Sequence, residues 1–459
     1  MCLGLTLYEN FWYDEAYTIG MIRRDFSDII HITSQDVHPP LYYILLKIFY
    51  IFPGMEQLLS VKIFSWIFYL LYLILGAYIC REHYNRRVEC FWLVLSGFMA
   101  PMIVQSTSPR MYTIAIFFVS LALYLAFLAI KNNRVYYWIG FAVCSAICMW
   151  LHTFCMLEVF VLYIFLILWA MLKKKSNMLK KILLCGVSVS VAYVPWLISL
   201  WRQFSRWAGW ESGWSSHMEE FGLESIKFWV AEWMSTIEEP SLVVVVMCTI
   251  VFVIAGCFAI GYMYKTRDYI PCIGIGIAGI VVMVSIIISI TIVPCFAGRY
   301  IFPMFGGVFL FVAVGLEHMK NWWMKIICVL VIIGCGLFTY QGEIKLEDPK
   351  GLKEYCDFID ENYGDNDLIM ADSYYLMMMS IYYPQNEYKI YGNVPVCMPY
   401  EDCEAFTEWE QVEKYDVIWY LSLENFRVGN LDEKYEILDS KKIKFYYYDI
   451  VIDKYKKRE

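Results

Sequence analysis

The sequence predicts an all-α polytopic membrane domain over residues 1–340, followed by a small extracytoplasmic α/β domain over 341–459. Three observations carry this. Hydrophobic residues make up 60% of the chain and charged residues 18%, where a soluble chain carries roughly 25% charged residues. Apolar runs of membrane-spanning length recur up to residue 340. Most acids lie beyond that point, so an apolar body is followed by a polar tail. The 17 Trp and 37 Tyr suit a chain that meets two membrane–water interfaces. A net charge of −8 offers no basic field for nucleic acid, so the expected partners are the bilayer and small or lipid-borne molecules.

Residues 8–57 form a polar first loop containing one apolar run, 39–53. That run is too short to span, opens with Pro39-Pro40 and carries Lys47 near its middle. A charge at the bilayer centre costs at least about 2.5 kcal/mol, so an interfacial helix with Lys47 snorkelling to the polar side is expected. About 20 apolar residues make a span. Ten segments qualify: 58–79, 89–107, 111–130, 136–152, 154–172, 180–200, 241–264, 270–293, 299–317 and 322–340. One set of connecting loops holds Arg81, Arg86, Arg87, Lys131, Arg134, Lys173, Lys174, Lys175, Lys180, Lys181, Lys265, Arg267, Lys320 and Lys325. The alternate loops are poor in basic residues, so the first set is cytoplasmic. Parity then puts the first loop, the long loop 201–240 and the tail outside. An external first loop ordinarily follows a helix that leads the chain outward; residues 1–7 read as the end of such a helix.

The loop 201–240 contains Trp201, Trp207, Trp210, Trp214, Trp229 and Trp233. These are either interfacial belt residues or a platform on which a lipid or sugar stacks. In the tail, 350–363 reads as an amphipathic helix, and 367–371, 416–422, 435–438 and 443–452 read as strands. The tail has no nucleotide-binding glycine motif. Most of the 16 Cys, such as Cys144, Cys148, Cys185, Cys248 and Cys328, sit in apolar runs and act as small hydrophobes. Cys356, Cys397 and Cys403 lie in the tail, where Cys397 and Cys403 either pair or remain free thiols.

The polar residues of the membrane domain gather at one face. The first loop holds Asp14, Glu15, Asp36 and His38; Arg110, His152, Arg299 and Tyr300 stand at outer ends of spans; Glu158 lies within two turns of the same face. Carboxylates, imidazoles and guanidiniums together suit transfer from a phosphate-bearing donor. A carboxylate removes a proton from an acceptor hydroxyl, and arginine grips phosphate and stabilises it as it leaves. Asp36, His38 and His152 are alternatively ligands for a divalent metal. Asp14-Glu15 also fits a plain acidic helix start, Arg110 and Arg299 fit interface anchors, His152 fits an interfacial histidine bonded to backbone, and Glu158 fits a satisfied buried acid.

Tyr13-Asp14-Glu15-Ala16, then Asp36-Val37-His38-Pro39-Pro40-Leu41-Tyr42-Tyr43, resembles the first external loop of GT-C superfamily glycosyltransferases, most closely the protein O-mannosyltransferase and aminoarabinose-transferase-like group (family 39 type). Ser108-Pro109-Arg110-Met111-Tyr112 and Gly298-Arg299-Tyr300-Ile301-Phe302-Pro303 are similar to that group's later elements. The resemblance covers about residues 8–320. It implies a polyprenyl-phosphate sugar as donor, a single inverting displacement, and an acceptor on a protein or an envelope glycan. It also implies Asp14 as base with Glu15 beside it, and His38, Arg110, Tyr112, Arg299 and Tyr300 on the donor. Two departures stand out: His38 occupies a position where aminoarabinose transferases carry lysine, and a helix ahead of the first loop is missing. A transporter or flippase of lipid-linked saccharides is the alternative, but such proteins place charges near the midplane and show internal repeats, and neither is visible here.

Overall fold

The computed structural model describes residues 2–7, 11, 13–51, 57–208, 222–235, 241–292 and 295–346, and in the tail 354, 357–359, 361, 363–364, 367–371, 388–391, 403–406, 409–423, 431–445 and 448–458. Its helices are α1 Cys2–Leu5, α2 Tyr13–Arg23, α3 Phe26–Thr33, α4 Leu41–Tyr50, α5 Gln57–His83, α6 Arg86–Phe98, α7 Ala100–Gln105 and α8 Tyr112–Asn132. They continue with α9 Val135–Leu151, α10 Thr153–Leu172, α11 Ser176–Ala208, α12 Leu223–Met234, α13 Leu242–Thr266, α14 Ile270–Thr291, α15 Phe305–His318 and α16 Trp322–Leu346. A 3-10 helix, Gly298–Met304, leads into α15.

Among the described residues, eight helices are long and apolar enough to cross a membrane, and the chain is a multi-pass integral membrane protein. Two of the ten expected spans differ. The segment 89–107 breaks into α6 and α7 because Met99 is extended, at φ −64° and ψ 134°, and Pro101 stands in the first turn of α7. The helix α9 has 17 residues, about 25 Å at 1.5 Å per residue, the short end of the range for a crossing.

The loops on the basic side are tightly capped. The Asn85 side chain accepts from the Arg87 and Val88 amides at 2.8 and 3.0 Å, and Asn133 closes α8 in a left-handed conformation at φ 52°. Within the bundle, α14 and α15 cross where Gly274 and Gly307 put backbone against backbone; a Cβ at either would overlap the other. Lipid gives helices no hydrophobic reason to associate, so such close approach is where dispersion accumulates.

The first loop folds into α2, α3 and α4. The ten residues of α4 span about 15 Å, too few to cross, so the apolar run is not a span. The Lys47 ammonium donates to the Ile22 carbonyl, in the last turn of α2, at 3.0 Å and lies over the Phe26 ring.

The tail sheet comprises β1 Leu368–Ala371, β2 Tyr388–Tyr391, β3 Cys403–Phe406, β4 Val417–Leu423, β5 Tyr435–Phe445 and β6 Tyr448–Lys457, in the order β3-β2-β1-β4-β6-β5. The strands β3, β2, β1 and β4 are parallel; β6 is antiparallel to β4 and β5. The expected strands 435–438 and 443–452 are corrected to one long hairpin. An irregularity between Ile437 and Asp439 lets β5 run through the polar Asp-Ser-Lys-Lys segment. Of the expected helix 350–363, residues 354, 357–359 and 361 are helical, Tyr363 is not, and the others lie outside the described residues, as do Cys356 and Cys397. One apolar cluster runs from Phe11, Ile19, Tyr43 and Met111 to Ile369, Trp419 and Ile452, so the sheet packs on the same end of the bundle as the first loop.

Candidate active site

Asp14 sits in the first turn of α2, where the helix dipole favours an acid. It does more than start a helix. Its Oδ2 lies 3.7 Å from a terminal guanidinium nitrogen of Arg299 and 3.9 Å from one of Arg110. Arg110 also donates to the Asp14 carbonyl at 3.1 Å and to the Tyr43 hydroxyl at 3.4 Å. The loop between α7 and α8 supplies Arg110, and the 3-10 helix supplies Arg299. Two cations therefore flank one carboxylate in a largely dry setting, where their fields are weakly screened. Glu15 is buried, about 100° round the helix from Asp14, and close enough to Tyr42 to act on its hydroxyl.

Beside this cluster the rings of His38, His152 and Tyr300 pack together, with centroids 4.5 Å apart for the histidines and 5.2 Å for His152 and Tyr300. Tyr112 joins them, 5.8 Å from His152, with its buried hydroxyl unpartnered. Nδ1 of His152 accepts the Phe154 amide at 3.0 Å and so caps α10. Burial first, and then the neighbouring His152, Arg110 and Arg299, hold His38 well below the usual histidine range. It is neutral, and its unpartnered buried Nδ1 offers a hydrogen bond rather than a charge.

Asp36 lies within electrostatic reach of Arg110 and Asp14. It accepts the Tyr17 hydroxyl at 3.3 Å, and burial pushes its carboxyl up to about 6. Among the described residues no three His, Cys, Asp or Glu side chains form a group that could hold a metal. The set Asp36, His38 and His152 therefore does not assemble: the two imidazoles stack instead of converging, and one His152 nitrogen is spent on a helix cap. Glu158 is buried with an unpartnered oxygen, beside Cys155, but does not line the cavity described next.

His38 and Tyr300 stand at the wall of an apolar cavity of about 560 Å³ between α10, α11 and α14. Leu157, Leu197, Leu200, Trp201 and Ile288 line it further in. Trp201 is thus a cavity wall. Trp229 and Trp233 pack toward the 3-10 helix, with the Trp233 indole donating to the Gly298 carbonyl at 2.8 Å. Trp210 and Trp214 lie outside the described residues, as does the side chain of Trp207.

Sequence reasoning missed Glu232. This buried acid on α12 has a raised carboxyl, at about 7: burial outweighs the Arg299 guanidinium and the Gly298 and Arg299 amides. Its only sequence signal is a lone acid inside the apolar run Trp229-Val230-Ala231-Glu232-Trp233-Met234. Glu232 lies so close to Gly298 that any Cβ there would overlap its carboxylate. Gly298→Ala should displace the Arg299 segment and cost about 1–3 kcal/mol, checked by thermal unfolding in detergent.

The raised carboxyl also gives a pH dependence. Its folded pKa lies above the ordinary 4.5, so its contribution is fully present below that value and is lost as pH rises toward about 7. The unfolding midpoint should fall across this window, by an equivalent of up to about 3 kcal/mol. Glu232→Gln should flatten the upper part, leaving the slope from Asp36 between 3.8 and about 6.

No protein-family model matches the chain, and no curated protein matches it. Solved structures do, among them two of one protein. ArnT from Cupriavidus metallidurans in the apo state has a TM-score of 0.65 at 11% identity, over 98% of this chain and 95% of that one. The same protein bound to undecaprenyl phosphate gives 0.64 at 11% identity, over 98% and 96%. At that identity the likeness is one of fold: a helical membrane domain followed by a small mixed-sheet domain.

Proposed function

We propose that this protein is a membrane glycosyltransferase that moves a sugar from a polyprenyl-phosphate donor to an acceptor hydroxyl, on a protein or an envelope glycan, at the extracytoplasmic face. The carrying observation is one carboxylate, Asp14, flanked by Arg110 and Arg299, close to an apolar cavity bordered by His38 and Tyr300. The cavity suits a polyprenyl chain, and the guanidiniums suit its phosphate. ArnT, the structural neighbour, is itself seen bound to undecaprenyl phosphate, which supports the same donor class here. The basic loops lie at the end of the bundle opposite Asp14, which supports an extracytoplasmic site.

The chemistry balances in one displacement. The acceptor oxygen bonds to the anomeric carbon from the side opposite the phosphate. The bond from that carbon to the phosphate oxygen breaks, and its electron pair leaves with polyprenyl phosphate. The acceptor proton passes to Asp14. Arg110 and Arg299 hold the charge that grows on the leaving phosphate, while neutral His38 adds a hydrogen bond. An arriving phosphate competes with Asp14 for the same N–H groups, so donor binding itself frees the carboxylate to act as base.

Membranes containing the protein, supplied with radiolabelled polyprenyl-phosphate sugars, should transfer label to acceptor and release polyprenyl phosphate. Movement of the intact lipid-linked sugar across the bilayer without transfer would sink the enzyme reading in favour of a flippase.

A further inference from the structure

A second cavity, of about 370 Å³, opens at the other end of the bundle. It shares no residue with the cavity beside Asp14. Its mouth is built from His83 and Tyr84 at the end of α5, Lys131 at the end of α8, and Asp268 in the turn between α13 and α14. It reaches Ser120 on α8 and Gly306 at the start of α15. Lys131 and Ser120 are eleven residues apart on one helix, about 16 Å at 1.5 Å per residue. That is about half of a roughly 30 Å hydrocarbon core, so the slot runs through one leaflet. Its walls are apolar, with leucines from α8, α10 and α15 along its length.

We propose that this slot binds a glycerophospholipid of the leaflet at the basic face, with an acyl chain inside and a phosphoethanolamine headgroup at the mouth. Depth and width favour a single chain over a compact solute. The mouth carries both charges of a zwitterion. Lys131, exposed and resting over the Phe127 ring at 5.5 Å, meets the phosphate. Asp268, held by the Tyr262 hydroxyl at 3.2 Å and the Ile270 amide at 3.1 Å, meets the ammonium. The Tyr84 hydroxyl is buried, unpartnered and lines the same mouth. A glycerol ester carbonyl gives it an acceptor where it otherwise has none. The floor is kept open by glycine, since a Cβ at Gly306 would overlap the Ser120 hydroxyl.

Native mass spectrometry of the full chain, extracted in mild detergent and titrated with phosphatidylethanolamine or phosphatidylglycerol, tests this. The wild type should hold one phosphatidylethanolamine, preferred over phosphatidylglycerol. Lys131→Ala, at an exposed position, should weaken it at least about tenfold. Asp268→Asn should erase the headgroup preference, and Leu123→Trp should fill the slot and abolish retention. Added lipid should raise the thermal midpoint of the wild type but not that of Lys131→Ala, whose midpoint without lipid should match the wild type. Equal retention by the wild type, Lys131→Ala and Leu123→Trp, or no retained lipid at all, would overturn the proposal. Neither result bears on sugar transfer, because the two cavities are separate.

Discussion

Asp14→Asn is expected to lower sugar transfer by about a hundred- to ten-thousand-fold, the range general-base catalysis supplies, while donor binding survives or tightens. The asparagine keeps the size of the side chain and one carbonyl oxygen for Arg110 and Arg299, so the fold should hold. What it loses is basicity and negative charge. Losing the charge removes the group that competes with phosphate for the two guanidiniums. A purely structural Asp14 would behave otherwise: loss of the carboxylate would take a shared counter-ion from two buried guanidiniums, and stability and donor binding would fall together. Equilibrium binding of radiolabelled polyprenyl phosphate, set beside single-turnover transfer, separates the cases. Transfer within threefold of wild type would remove Asp14 as the base and leave it an ion-pair partner.

Much of this arrangement is legible in the chain. Asp14, Arg110 and Arg299 are marked as a set because each is a charge at the same end of an apolar bundle, where an idle charge is costly. Their distances are not legible. Arg110 is 96 residues from Asp14, and their meeting depends on how α8, α2 and the 3-10 helix pack. The arrangement of Asp36, His38 and His152 is hidden for a related reason. Residue types near one face suggested ligands, but only the fold shows that His152 has turned a ring nitrogen to the Phe154 amide. Glu232 was hidden by its Trp-rich surroundings, which read equally well as an aromatic belt. In the tail, the four-residue strands β2, Tyr388–Tyr391, and β3, Cys403–Phe406, went unseen. The shortness of α4 is legible because length is a property of the chain alone; the acceptor that Lys47 finds is not, because the Ile22 carbonyl is a tertiary neighbour.

Arg110→Ala is expected to be the next most damaging change, and it should damage two things at once. The side chain is 6% exposed and serves the Asp14 carboxylate, the Asp14 carbonyl and the Tyr43 hydroxyl together. Removing it strands those acceptors in a dry site, at about 3 kcal/mol or more. It also removes one of the two cations that stabilise the leaving phosphate, which should slow transfer by a further factor of about a hundred. Arg110→Lys should recover little, since one ammonium cannot hold three acceptors in the geometry of a planar fork. The stability and catalytic parts separate in a double-mutant cycle with Asp14→Asn. If Arg110 is stabilising chiefly through Asp14, the two changes together should cost less than their sum by about 0.5–3 kcal/mol in unfolding. Donor affinity should behave differently: Arg110→Ala should still weaken polyprenyl-phosphate binding in the Asp14→Asn background, because phosphate then contacts Arg110 directly. Donor binding untouched by Arg110→Ala in that background would make Arg110 a structural partner of Asp14 alone and leave Arg299 to carry the phosphate.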